Sequence, residues 1–330
     1  MDTPKRTPLR NKHLEKVFGN ILGTPLKIPP SPQLQKLGFG TGIEVCRVNR
    51  TPNKDVAKSP WAIKRLNRCA MTGDIERSEV YSERLDKEAS LLRKLKHPNI
   101  VGFRAYKKDQ EGRSVLALEV CDLSLADILE KRLDEEAGPL PVMQIHRFCL
   151  DIASALDYLH REVKILHGDM KSGNVLVKGD FEICKLCDFG VSLKLNASGY
   201  VDDVEKYVGT DLWAAPEVID EACELIGSPC DIFSYGLVIY ETLVLMPPHL
   251  FGLGDDGDLS FSELDERVGT RPPLPETLDL PEEYNIYLIL RLLLLPFLLQ
   301  PFALLNLPPD GIFLLFRLHH ELMEENFPIK

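Results

Sequence analysis

The sequence lacks an excess of basic residues, since 39 Lys and Arg stand against 50 Asp and Glu and leave a formal net charge of −11. A nucleic-acid-binding protein held by bulk charge is therefore excluded, and we expect no nucleic-acid partner. The polar start at residues 1–13 has no apolar stretch, so we expect no secretory signal. The eight cysteines lack regular spacing and indicate reduced thiols. These absences predict an intracellular protein that is cytoplasmic or, as an alternative, nuclear.

The sequence does contain enough apolar material for a large core. Its 330 residues are 44% hydrophobic and 27% charged, which is typical of globular proteins and longer than one usual compact domain. We predict an α+β fold with a small β-rich N-lobe at 33–121, which has one main helix, and a larger helical C-lobe at 122–284. A proline-rich tail at 1–32 precedes them, and a leucine-rich segment at 285–330 follows.

Hydrophobic periodicity supports this division into lobes. Residues 78–96 carry apolar side chains at helical spacing, and Pro98 ends the pattern. Glycine-rich and β-branched stretches at 38–48 and 61–66 predict strands in the same lobe. Apolar helices are predicted at 145–160 and 230–245, in the larger lobe.

The N-terminal tail contains four Thr-Pro or Ser-Pro pairs, at Thr3, Thr7, Thr24 and Ser31. Such pairs also arise by chance in proline-rich tails. We expect an upstream proline-directed kinase to modify one or more of them, because the tail should be solvated and accessible.

A glycine cluster at residues 37–45 matches most of the phosphate-binding pattern G-x-G-x-x-G-x-V. Gly38, Gly40 and Val45 fit it, but Ile43 stands where the third glycine belongs, and Gly42 comes one position early. Glycines let a strand-turn-strand backbone close over phosphates and aim its N–H groups at them. An ordinary glycine-rich hairpin is the alternative reading.

Trp61-Ala-Ile-Lys64 matches the V-A-I-K strand, whose lysine neutralises phosphate charge while a helix carboxylate holds it. Glu88 is the well-placed carboxylate on the predicted helix, since Glu83 and Asp86 would point elsewhere. A solvated Lys–Glu surface pair is the alternative.

Residues 167–174, HGDMKSGN, fit the catalytic-loop pattern H-R-D-L-x-x-x-N with Gly168 in place of arginine. In this pattern Asp169 accepts the proton of the substrate hydroxyl, Lys171 stabilises the transferring phosphoryl charge, and Asn174 holds a metal ion. Asp188-Phe-Gly190 then supplies Asp188 as the main Mg²⁺ ligand. Ala215-Pro-Glu217 ends an activation segment, and residues 231–236 match a helix that braces the catalytic loop.

With these motifs in order, residues 33–284 resemble a eukaryotic-type protein kinase, and the runs SPQLQKLGFGTG, LKHPNIVGFRAY and LHGDMKSGNVLVKGDFE resemble the MAP-kinase-kinase-like Ser/Thr kinases. The glycine at position 168 is part of that resemblance. The resemblance implies the bilobal protein-kinase fold, with ATP and Mg²⁺ as cofactors. It also implies protein Ser/Thr as acceptors, with dual specificity that includes Tyr as an alternative, and a role in mitotic or proliferative signalling. The ATP-binding residues that it implies are Leu37, Gly38, Phe39, Gly40, Thr41, Gly42, Val45, Ala62, Lys64, Glu88, Glu119 and Cys121.

The resemblance stops near Tyr284. Relatives continue with helices that pair an arginine with the glutamate corresponding to Glu217, and they end in a short PDZ-domain ligand. Neither is present here, so we do not expect a PDZ partner. Fifteen of the 46 residues at 285–330 are leucine, but Arg291 and two prolines interrupt the stretch at 286–307, so membrane binding is not expected. An altered splice or gene model, a real partner-binding or membrane tail, and a buried helix stay open as explanations.

The lead hypothesis is an active protein Ser/Thr kinase. A pseudokinase or scaffold with an impaired C-lobe is one alternative, and a membrane-tethered kinase is the other. Retention of Lys64, Asp169, Asn174 and Asp188 argues against the pseudokinase. Because Gly168 offers no guanidinium to an activation-segment phosphate, we expect activity to depend more on the N-terminal Thr-Pro sites than on that segment.

Overall fold

In the computed structural model, the described residues are 35–40, 43–53, 56–67, 75–204, 207–220, 223, 225–250, 264 and 266–272. Thr41, Gly42, the predicted tail at 1–32 and the leucine-rich segment at 285–330 lie outside them. The chain divides into two compact units. The first contains the described residues up to Arg93 together with Gly102–Val120, and the second contains Lys94–Val101 and the described residues from Cys121 onward.

The first unit is a five-stranded antiparallel sheet with one helix. The strand order is β1-β2-β3-β5-β4, and every neighbouring pair is antiparallel. The elements are β1 (Gln35–Gly40), β2 (Ile43–Asn53), β3 (Val56–Leu66), α1 (Ile75–Leu92), β4 (Phe103–Lys108) and β5 (Ser114–Glu119).

Helix α1 packs on the sheet through a stripe formed by Leu85, Ala89 and Leu92, all of which are buried. It begins three residues before the predicted start and ends four residues before the predicted end at 96. The early end agrees with Pro98, which disfavours helical backbone for the residue before it. Residues 93–94 form a turn, and residues 95–97 have no regular secondary structure. The stripe holds α1 against β3, β4 and β5.

The second unit is mainly helical. Its helices are α2 (Leu125–Asp134), α3 (Val142–Asp157), the four-residue α4 (Pro216–Ile219) and α5 (Ser228–Val244), with a π-helical turn at Tyr158–Val163. Short strands form two small sheets: β7 (Ile165–Leu166) with β10 (Leu193–Lys194), and β6 (Leu123–Ser124) with β8 (Val175–Lys178) and β9 (Ile183–Leu186).

Helix α5 is the centre of this unit, since nearly all of its side chains from Cys230 to Val244 are buried. A helix that is apolar on all sides is stable only inside a core. The hydroxyl of Tyr235 donates to the carbonyl of Cys149 on α3 at 2.8 Å, which ties these two helices together. The carboxylates that α5 does carry, Asp231 and Glu241, are therefore buried and must be satisfied by nearby donors.

The β-rich first unit with one main helix and the helical second unit confirm the predicted α+β class. No helix within the described ranges is both long and apolar enough to cross a membrane.

Candidate active site

Lys64 and Glu88 form a buried ion pair in the first unit. Lys64 Nζ donates to Glu88 Oε2 at 2.8 Å, and the side chains are only 9% and 1% exposed. Cross-strand pairing sets Val45 opposite Lys64, and Ala62 lies two residues before it, so these three side chains share one face of the sheet. The structure thus brings together four of the predicted ATP-binding residues.

The other predicted ATP-binding residues that the structure describes lie on β1, at the end of β5 and two positions after it. Residues 37–40 lie on β1, where Gly38 pairs with Val45 and Gly40 with Ile43. Glu119, at the end of β5, accepts a hydrogen bond from the backbone N–H of Gly102 at 2.9 Å. Cys121 is buried in the second unit. Thr41 and Gly42 remain predictions, because they lie outside the described residues.

The backbone of the catalytic loop at 167–174 is hydrogen-bonded to the side chain of Asp231 on helix α5. This carboxylate accepts hydrogen bonds from the backbone N–H groups of His167 at 2.7 Å and Gly168 at 2.9 Å. His160 Nε2 lies 2.7 Å from the same carboxylate. Burial raises the pKa of Asp231, but the hydrogen bond and charge of His160 outweigh this and leave the pKa below its ordinary value. The loop backbone is therefore fixed by an ionised, buried acceptor.

Asp169 lies at the centre of a polar cluster. Asn174 Nδ2 donates to the Asp169 carboxylate at 2.9 Å, and Lys171 Nζ lies 2.8 Å from Asp169 Oδ2. Thr210 adds a contact that the sequence did not predict: its hydroxyl donates to Asp169 Oδ1 at 2.6 Å and accepts from Lys171 Nζ at 2.8 Å. Two of the three predicted catalytic residues, Lys171 and Asn174, thus each contact the third, Asp169.

Asp188 follows β9 in the left-handed region of backbone conformation, with φ of 65°. The residue before it, Cys187, donates its N–H to the carbonyl of Asn174 at 2.9 Å and accepts at its own carbonyl from His167 Nε2 at the same distance. These bonds join the catalytic loop directly to the segment that carries Asp188. The two predicted metal ligands therefore come from adjoining segments.

The donor set fits a hard divalent cation. Asp188 offers a carboxylate, and because Asn174 Nδ2 donates to Asp169, the amide oxygen of Asn174 is the atom that would bind a cation. In the described part of the chain, no group of three or more His, Cys, Asp or Glu side chains is arranged to hold a metal ion. Mg²⁺ is a hard divalent cation that is usually bound by one or two carboxylates together with substrate phosphates.

A second buried carboxylate of α5, Glu241, joins the catalytic loop to the activation segment. Ser172 Oγ donates to Glu241 Oε1 at 2.7 Å, and Trp213 Nε1 donates to Oε2 at 3.2 Å. Burial raises the pKa of Glu241 to about 7, against the effect of these two hydrogen bonds. The sequence signal that could have revealed this residue is an acidic side chain within an otherwise apolar helix.

The glutamate of the Ala-Pro-Glu motif has a thiol partner here. Cys230 Sγ donates to Glu217 Oε1 at 3.2 Å, at the N-terminal end of α5. Burial raises the pKa of Cys230 well above its ordinary value, and the charge of Glu217 raises it further. The predicted absence of an arginine partner for Glu217 concerns the segment after Tyr284, which lies outside the described residues.

Comparison with known proteins agrees with this geometry. Residues 32–286 match the family described as the protein kinase domain. The chain is 42% identical over 281 residues to lymphokine-activated killer T-cell-originated protein kinase from Homo sapiens, the PDZ-binding kinase, and the match covers 82% of this chain and 85% of that protein.

Two longer proteins are also similar to this chain. Mitogen-activated protein kinase kinase kinase ANP1 from Arabidopsis thaliana is 29% identical over 221 residues, which is 66% of this chain and 31% of that protein. Mitogen-activated protein kinase kinase kinase 15 from Mus musculus is 33% identical over 206 residues, which is 62% of this chain and 14% of that protein.

Proposed function

This chain belongs to the protein kinase family, and we propose that it acts as a MAP-kinase-kinase-like enzyme that phosphorylates protein Ser and Thr in mitotic or proliferative signalling. Dual specificity that includes Tyr is the alternative. As a protein Ser/Thr kinase it uses ATP and a divalent metal, for which we propose Mg²⁺. The observation that carries this proposal is the cluster around Asp169, since Lys171 two residues after the aspartate is typical of Ser/Thr kinases.

We assign Asp169 to the acceptor hydroxyl. Its Oδ1 already accepts from the Thr210 hydroxyl at 2.6 Å, so the oxygen is placed to accept a hydrogen bond from an alcohol. A substrate Ser or Thr held in the same way would be oriented for in-line attack, with its proton directed to the carboxylate. Lys171 would neutralise the charge that develops on the transferred phosphoryl group.

We assign Asn174 and Asp188 to Mg²⁺ and Lys64 to the ATP phosphates. When bound, Mg²⁺ neutralises phosphate charge during the transfer. The carboxylate of Glu88 pairs with the ammonium of Lys64 at 2.8 Å inside the protein. Burying an unpaired lysine charge there would cost free energy of folding. The backbone of β1 around Gly38 and Gly40 would cover the phosphates.

Regulation is proposed to depend on the N-terminal tail. Gly168 supplies no side chain that could bind a phosphate on the activation segment, and a proline-directed kinase acting at Thr3, Thr7, Thr24 or Ser31 would replace that control. A cytoplasmic or nuclear location is part of the same proposal.

The acceptor class can be tested directly. The purified full-length chain is incubated with radiolabelled ATP, Mg²⁺ and either casein or a catalytically inactive MAP kinase, and the labelled amino acids are identified after hydrolysis. We expect phosphoserine and phosphothreonine, and additional phosphotyrosine on the MAP kinase would show dual specificity.

The Asp169→Asn variant is the inactive control for this assay. We expect labelling to fall by about 10²–10⁴-fold while ATP binding stays near that of the parent, because a general base is lost and the phosphate contacts remain. Label confined to tyrosine, or an Asp169→Asn protein that labels as well as the parent, would overturn the assignment.

A further inference from the structure

Helix α1 carries a second polar contact besides the one at Glu88. Asp86 Oδ1 accepts from the Tyr106 hydroxyl at 2.6 Å, and Asp86 Oδ2 accepts from Lys108 Nζ at 2.8 Å. The hydroxyl of Ser114 also donates to Asp86 Oδ1. Tyr106 and Lys108 are on β4 and Ser114 is on β5, so this carboxylate joins the helix to both strands of the hairpin.

The donors around Asp86 are themselves ordered. Ser114 is fully buried, and its hydroxyl lies 2.9 Å from that of Ser82, one turn before Asp86 on α1. Lys108 Nζ donates to Ser114 Oγ at 2.7 Å. Burial raises the pKa of Asp86, but hydrogen bonds from Lys108, Ser114 and Tyr106 outweigh it and leave the pKa below the ordinary value. The carboxylate is therefore ionised and held by several donors at once.

Asp86 and Glu88 flank the buried face of α1 on opposite sides. At about 100° per residue, Glu88 lies roughly 60° to one side of Leu85 and Asp86 about 100° to the other. The apolar stripe of Leu85, Ala89 and Leu92 runs between them. One carboxylate contacts Lys64 on β3, and the other contacts the β4–β5 hairpin.

An apolar stripe alone does not fix the rotation of a helix, because hydrophobic contact is not directional. Hydrogen bonds are directional and weaken steeply when misaligned. With a radius of ~5 Å to the side chains, turning α1 by about 20° would move a carboxylate by nearly 2 Å. That displacement is enough to break the 2.8 Å contact between Glu88 and Lys64.

We propose that Asp86 is a positioning residue for the kinase reaction: by tying α1 to β4 and β5, it fixes the rotation of the helix that keeps Glu88 on Lys64. The inference rests on the proposed role of the Lys64–Glu88 pair. The contributions of the donors are unequal. The side chains of Asp86 and Lys108 are 42% and 44% exposed, so that ion pair contributes little, whereas Tyr106 and Ser114 supply the part-buried contacts.

The first experiment measures kcat for phosphate transfer from ATP to casein by the full-length chain. Asp86→Ala should lower kcat about tenfold, which corresponds to about 1.4 kcal/mol. Asp86→Asn, which keeps an acceptor oxygen for Tyr106 and Ser114, should restore most of it. Tyr106→Phe should lower kcat severalfold and Lys108→Ala by less than about twofold. Glu83→Ala removes an exposed carboxylate from the same helix and is the matched control. Its kcat should equal that of the parent.

The second experiment repeats the Asp86→Ala change in a Glu88→Gln background. If Asp86 acts through Glu88, the second change should lower the residual kcat by less than about twofold. An equal tenfold loss in both backgrounds, or an unchanged kcat in Asp86→Ala itself, overturns the inference. If instead Glu88→Gln alone retains full activity, the assigned role of the Lys64–Glu88 pair fails, and the Asp86 inference falls with it for that identifiable reason.

Folding is monitored separately by thermal melting of each variant. Alanine has a higher helix propensity than aspartate, so Asp86→Ala does not weaken α1 through local propensity. Should Asp86→Ala fail to fold, Tyr106→Phe decides the question, because it leaves the sequence of α1 unchanged. A Tyr106→Phe protein with parental melting and parental kcat would overturn the inference.

Discussion

The hydroxyl of Thr210 donates to Asp169 Oδ1 at 2.6 Å, across 41 positions of sequence. The same hydroxyl accepts from Lys171 at 2.8 Å, so one side chain of the activation segment holds both the proposed base and the proposed charge-stabilising lysine. The position of Thr210 therefore gives it a role in the protein before any phosphate is added to the activation segment.

Removing this hydroxyl should lower activity without any change in phosphorylation. A hydrogen bond to a charged group contributes about 1.5–3 kcal/mol, so we expect Thr210→Ala to lower kcat by roughly tenfold or more. Thr210→Ser keeps the hydroxyl and should retain most of the activity. The measurement is kcat of phosphatase-treated proteins, and a Thr210→Ala variant with parental kcat would show that the contact is dispensable.

The stability of the protein should depend on pH through Glu241. Because the pKa is raised from 4.5 to about 7 on folding, the folded state retains a proton that the unfolded chain releases. This contribution is fully present below about pH 4.5 and is lost as the pH rises to about 7, and the shift corresponds to about 3 kcal/mol.

Glu241→Gln isolates that contribution, because the amide cannot titrate and the Ser172 hydroxyl can turn to accept from it. Denaturant unfolding of both proteins at pH 5, 6, 7 and 8 gives the comparison. We expect the parent to lose stability relative to Glu241→Gln between pH 5 and 7. Parallel curves would show that Glu241 keeps an ordinary pKa in the folded protein.

Activation in cells should depend on the tail more than on the activation segment. Ser198 is exposed in a turn where its N–H bonds to Asn196 Oδ1 at 3.0 Å, and Gly168 offers no cation to a phosphate placed there. We therefore expect Thr24→Ala to lower kinase activity recovered from dividing cells and Ser198→Ala to leave it within about twofold. A complete loss in Ser198→Ala with Thr24→Ala silent would contradict this expectation.

The leucine-rich segment at 285–330 should limit solubility. Large exposed apolar patches promote association, and we expect the full-length protein to be poorly soluble without detergent. Truncation after Tyr284 should not restore a fully stable second unit, because it adds nothing in place of the divergent segment at 285–330. Size-exclusion chromatography and melting curves test both forms, and a monodisperse full-length monomer with a cooperative transition would contradict the expectation.

Short-range spacing explains what could be predicted from sequence. Asp169, Lys171 and Asn174 lie within six positions, and any backbone that forms this loop places them close together. The Lys64–Glu88 pair followed from a strand pattern and a helix pattern whose apolar faces meet. In both cases local periodicity or motif order carries the information.

The contacts that could not be predicted from the sequence are those between residues far apart in the chain. Thr210 meets Asp169 only because the activation segment folds back on the catalytic loop, and no local pattern encodes that path. Glu241 is recognisable as unusual, but its partners Ser172 and Trp213 lie 69 and 28 positions away. Asp86 was expected to point away from Lys64, which it does, but its contacts depend on the register of β4 and β5.

The thiol held by Glu217 has a practical consequence. Alkylating reagents attack thiolates, and Cys230 is buried, with a pKa raised well above that of an exposed thiol. Its labelling therefore requires the N-terminal end of α5 to separate from the Ala-Pro-Glu segment. The rate of iodoacetamide incorporation at Cys230, followed by mass spectrometry, would report how often that separation occurs in the native protein without any introduced probe.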